Sequence, residues 1–128
     1  MTHLTLFLLW SSAVVFALIG LYFLLMPERA TAAIGVEMTN ATGHTDIMAT
    51  YGGMMLGMAV FYTWVALNPA RYEAGLWSVL VVYAGLALGR TWAIVGGQRP
   101  GIMMWSFLSL EVTAAALAAL ILFRNTPI

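Results

Sequence analysis

Four apolar runs constrain this chain more than any other feature. They extend from about Leu4 to Met26, Ile47 to Leu67, Gly75 to Val95 and Ile102 to Phe123. A helix rises about 1.5 Å per residue, so each run crosses a hydrocarbon layer of about 30 Å. In lipid no water serves the backbone, so a single run satisfies its N–H and C=O groups only as a helix. Composition agrees. The 128 residues are 62% hydrophobic and 8% charged, against about 25% charged in a soluble domain.

The breaks between runs are ordinary helix stops. Pro27 follows the first run and Asn68-Pro69 ends the second. Gly96-Gly97-Gln98-Arg99-Pro100-Gly101 is a tight turn between the third and fourth. Short connections make antiparallel neighbours. The one long connection, about Pro27 to Asp46, opens with "PERATAAIG". Pro27 at the first position, Glu28 in the first turn and Gly35 as a stop predict a short helix at the membrane surface. The following "TNATGHTD" reads as turn-rich, with Thr45 or Asp46 at the N-cap of the second span. The expected architecture is all-α: an integral membrane four-helix antiparallel bundle with a short interfacial helix after the first span. Residues 1–128 form a single transmembrane domain in this reading.

"ATA" at Ala30–Ala32 resembles a signal-peptidase site. The preceding run is longer than an h-region of about 7–15 residues and has no basic n-region, so it reads as a retained span. Arginine counting leaves orientation tied, with Arg71 and Arg124 on one side and Arg29 and Arg99 on the other.

Several function classes lack their chemistry. Net charge is zero, and no basic run offers nucleic acid a footprint. No cysteine is present, which excludes disulfides, thiolate nucleophiles and cysteine-held metals. No cofactor motif or poised nucleophile appears, which argues against an enzyme. Met54 and Met58, with His44 and Met48 nearby, have the thioether chemistry that suits Cu(I). Methionine is also a common core filler, and no metal site is expected. Asn40-Ala41-Thr42 matches a glycosylation sequon, a frequent chance match.

Lipid gives helices no hydrophobic reason to associate, so small residues and polar contacts must hold them together. Gly53-xxx-Gly57, Gly85-xxx-Gly89 and the alanines of the fourth span are the packing candidates, and they also suit a homo-oligomer.

Arg90 lies within the third span and Glu111 within the fourth. Counted from the Gly96–Gly101 turn, Arg90 is about 8 Å deep and Glu111 about 14 Å. A lone charge at mid-depth costs about 2.5–3.5 kcal/mol on insertion scales. Guanidinium does not shed its proton, and a carboxylate can accept its N–H fork bidentately. An Arg90–Glu111 pair is therefore expected. Asp46 reads equally as a second anion at the mouth or as a helix cap. Tyr83 shares the Arg90 face. With His44 and Tyr51 these residues outline a polar-mouthed pocket.

The segments "GLYFLLMPERATAAIG", "TDIMATYGGMMLGMAVFY", "LGRTWAIVGGQRPG" and "LSLEVTAA" together resemble a bacterial family of small four-span membrane proteins known only as a domain of unknown function. The resemblance covers nearly the whole chain. It implies four helices, a shared charged cluster and a bacterial inner membrane, and it brings no activity. More distantly the architecture resembles DoxX-like membrane proteins. Some groups of that shape bind or isomerise sterol-like amphiphiles through intramembrane carboxylates.

Three readings follow. The first is a protein that binds an amphiphile, such as a lipid, quinone or sterol-like molecule, by its polar end. The second is a structural or accessory subunit in which Arg90–Glu111 only fixes helix packing. The third is a small proton-coupled transporter, for which the first span lacks the usual carboxylate.

Overall fold

The computed structural model describes residues 2–124. Helix α1 spans Thr2–Leu25. Its buried residues Leu9, Ser12, Ala13, Phe16, Gly20 and Phe23 recur every three or four positions, which is one helical face. The opposite face carries Phe7, Val14, Leu18, Leu21 and Leu25, all exposed. A helix with apolar residues on its outer face is built for lipid rather than water. Helix α1 stops at Leu25 because the residue before a proline is pushed out of the helical region. Met26 accordingly has φ −138° and ψ 58°.

Pro27 then opens helix α2, Pro27–Ala33, as expected. Its C-terminus is a Schellman motif: Val36 N–H donates to Thr31 O at 2.9 Å and Gly35 N–H to Ala32 O at 3.1 Å. Gly35 supplies the required left-handed backbone, with φ +71°.

The next rod begins earlier than the turn-rich reading allows. Helix α3 covers Ala41–Ile47, followed by a π-helical stretch Met48–Met54 and helix α4, Met55–Ala66. Asn40, not Thr45 or Asp46, is the N-cap, and its Oδ1 accepts from Gly43 N–H at 2.9 Å. Thr45 lies inside the helix and returns its hydroxyl to Ala41 O at 2.8 Å. Asp46, the next residue, stands exposed within the same helix. The cap preference of "HTD" goes unused, because Asn40 upstream already caps the helix that contains Thr45 and Asp46.

A 3₁₀ turn, Pro69–Arg71, capped by Asn68, leads into helix α5, Tyr72–Val95. Helix α6 spans Ile102–Arg124. Between them Gly97 takes φ +98° in a second Schellman motif, with Gln98 N–H on Ala93 O and Gly97 N–H on Ile94 O.

The all-α class and the short helix after the first span are thus present. A simple four-helix bundle is not: five helical rods occur among the described residues, and one changes its hydrogen-bond register midway. Three helical segments, Thr2–Leu25, Pro69–Val95 and Ile102–Arg124, are each long and apolar enough to cross a membrane. The chain is a multi-pass membrane protein.

The fold divides into two compact units. In the unit Trp10–Leu67, α1 runs antiparallel to the 41–66 rod. Phe16 meets Tyr62 at 5.6 Å between ring centroids, and Phe23 stacks on Tyr51 at 4.9 Å. The close approach is at Gly20 and Gly52. A Cβ on Gly20 would lie 2.9 Å from Gly52 O, and one on Gly52 would lie 2.5 Å from Leu24 Cδ2. Gly53, Gly57, Gly85 and Gly89 behave differently: a Cβ on any of them meets nothing within 4 Å. The other unit contains the α5–α6 hairpin. Leu76, Val79, Tyr83 and Ala87 of α5 and Glu111, Ala115, Ala118 and Leu122 of α6 form the buried stripes.

Candidate functional site: the Arg90–Glu111 pair

Arg90 continues the buried stripe of α5 by one more turn after Ala87. Glu111 begins the buried stripe of α6. The antiparallel hairpin brings these ends together. Arg90 Nε–H is shared between Glu111 Oε1 and Oε2, each at 2.9 Å. The depth count therefore predicts the right partner. It does not predict the geometry. The fork of two parallel N–H donors is replaced by one N–H centred on the carboxylate.

That difference matters for what the guanidinium has left. Nη1 donates to Met104 Sδ at 3.1 Å. The Phe107 ring centroid lies 5.4 Å from Cζ. Guanidinium has five N–H groups. The second Nη1 proton and both Nη2 protons have no acceptor among the described residues. Burial is equally uneven: the Glu111 side chain is 5% exposed and that of Arg90 30%. The carboxylate is enclosed, while the cation keeps an open edge.

Met104, Phe107 and Glu111 occupy positions i, i+3 and i+7 of α6, so they form one face. Arg90 lies across that face. The sequence reading passes over Met104 and Phe107, because neither type is chemically conspicuous in an apolar span. Their spacing from Glu111 is the signal that would have found them. Thioether and ring are both soft, weakly attractive partners for a cation. They steady the guanidinium while taking only one of its N–H groups and adding no second negative charge.

Tyr83 is buried two turns before Arg90 on the same face of α5. His44, Asp46 and Tyr51 belong to the other unit, on the 41–66 rod. There Tyr51 lies within the π-helical stretch, against Phe23. Among the described residues no three His, Cys, Asp or Glu side chains gather as metal ligands.

A family profile described as Domain of unknown function (DUF4345) matches residues 4–122. The chain belongs to the DUF4345 family. The match takes in all of α5 and, in α6, everything from Ile102 to Leu122, so both halves of the ion pair lie inside the family domain. No curated protein and no solved structure matches the chain.

Proposed function

We propose that this protein binds the polar end of an amphiphilic small molecule at the open edge of Arg90. The observation that carries this reading is the unequal state of the two charges. Glu111 is enclosed and has its countercharge, while Arg90 keeps three N–H donors without acceptors at 30% side-chain exposure. Donors at that depth gain more from an acceptor than donors in water do, because little competes for them.

Depth supports an amphiphile. Helix α5 has 24 residues, about 36 Å of helix against about 30 Å of hydrocarbon. Arg90 is five residues before Val95. Centred in the bilayer, its Cα would lie about 5 Å below the hydrocarbon boundary, within the reach of a snorkelling side chain. In this reading the 41–66 rod is the fourth span, and the membrane is a bacterial inner membrane.

Native mass spectrometry of the full chain released from lipid nanodiscs tests the proposal. A retained amphiphile is expected with the wild type and is expected to be lost from the Arg90→Leu/Glu111→Leu double variant. Equal retention by a correctly folded double variant removes the reading. The alternative role is a register pin between α5 and α6. The centred Nε contact favours it, since that contact alone satisfies the helix pair.

A further inference from the structure

We infer that the head group received at Arg90 is an uncharged carbonyl-type acceptor rather than an anion. This rests on the binding role proposed above and specifies its ligand class.

The open edge of Arg90 presents only N–H donors, so its ligand must present an acceptor. Charge then separates the candidate acceptors. Both Glu111 oxygens lie 2.9 Å from Nε, so the guanidinium is neutralised before any ligand arrives. An anionic head would meet the attraction of Arg90 and the repulsion of Glu111 together. It would still bear the full cost of leaving water. Turning Glu111 away would not relieve this, because it would part a carboxylate that is 5% exposed from its countercharge.

A neutral carbonyl oxygen has little hydration to lose and little charge for Glu111 to repel. It gains the directional hydrogen bonds that Nη1 and Nη2 still offer. Met104 and Phe107 show the same selection, since both are uncharged partners of the same cation. The surroundings of Arg90 thus supply one full negative charge, from Glu111, and otherwise soft neutral contacts. A neutral acceptor completes that set without overbalancing it. Two sources share this chemistry: the ester carbonyls of bilayer lipids and a free amphiphile such as a ketone, amide or quinone.

The experiment compares two probes with one tail: N-methyldodecanamide, with a neutral carbonyl, and dodecyl phosphate, an anion. Binding to the full chain in neutral-lipid nanodiscs is measured at low salt. Signal from discs holding the Arg90→Leu/Glu111→Leu variant is subtracted to remove simple partitioning. The amide is expected to bind at least tenfold more tightly than the phosphate. In Glu111→Gln, which keeps an acceptor for Nε and removes the charge, the ratio of phosphate to amide binding is expected to rise at least tenfold.

Tighter binding of phosphate than amide by the wild type overturns the inference and leaves an Arg90 binding role standing. Binding of either probe that is indifferent to Arg90, or no binding of both, overturns the binding role itself and this inference with it. Circular dichroism of each variant confirms its helical fold. Repeating the amide titration in ether-linked lipid, which lacks ester carbonyls, separates the sources. Tighter amide binding there identifies the bilayer ester as the usual occupant, and unchanged binding identifies a free amphiphile.

Discussion

Removing one member of the ion pair should be far more damaging at Arg90 than at Glu111. Arg90→Leu strands a carboxylate whose side chain is 5% exposed. Losing one partner of a buried pair costs about 3–5 kcal/mol, because the other is left as an uncompensated charge. Glu111→Leu strands a guanidinium that is 30% exposed and five residues from the end of its helix. Arg90 can turn toward the interface and keep its contacts with Met104 and Phe107. Its cost is therefore about 1–2 kcal/mol, taking the low end of intramembrane insertion scales less what snorkelling recovers. The difference, about 2 kcal/mol, is roughly 30-fold in the folding equilibrium. The double leucine variant should fall within about 1 kcal/mol of wild type, since an ion pair replaced by packed apolar residues is often neutral. Reversible unfolding in bicelles, followed by tryptophan fluorescence across the four chains, measures all three values. Equal costs for the two single variants, or a double variant as unstable as Arg90→Leu, would refute the reasoning from burial.

The glycines give a second contrast. Gly20→Ala forces a Cβ to 2.9 Å from the carbonyl oxygen of Gly52, which is backbone and cannot swing aside. A loss of about 1–3 kcal/mol is expected in the same unfolding assay. Gly53→Ala, Gly57→Ala, Gly85→Ala and Gly89→Ala enter open space, so they should be neutral or stabilising by up to about 1 kcal/mol through helix propensity. Asn40→Ala removes the cap on Gly43 N–H. It should cost about 1 kcal/mol and speed amide exchange over residues 41–47 without changing exchange in α5. Phe107→Leu removes the ring beside Arg90 and should cost about 0.5–2 kcal/mol, an effect that disappears in an Arg90→Leu background.

The family, the membrane class and most helix ends were legible in local sequence. Pro27 and Gly35 bracket α2 where they were expected to. Gly97 ends α5 because its backbone takes a conformation that disfavours side chains. The start of the 41–66 rod was not legible, because "TNATGHTD" offers several cap residues and only one is used. Nor was the π stretch. An inserted π turn shifts the face presented after Met54 relative to that before Met48. Periodicity counted across it mixes two registers.

The sequence by itself determined that this chain enters a bilayer as helices and that Arg90 must find Glu111. Both follow from transfer free energies, which belong to individual residues and short segments. A permanent cation in an apolar span has few partners, and depth counting puts Glu111 first, with Asp46 at the mouth as a second candidate. Tertiary structure alone decided which glycines let helices touch, so that Gly20 and Gly52 do what the two Gly-xxx-Gly pairs do not. It alone decided that Nε, rather than the fork, holds the carboxylate. These depend on how one helix face is rotated against another. That rotation is set by the sum of many weak contacts between residues far apart in the chain, and no local pattern carries it.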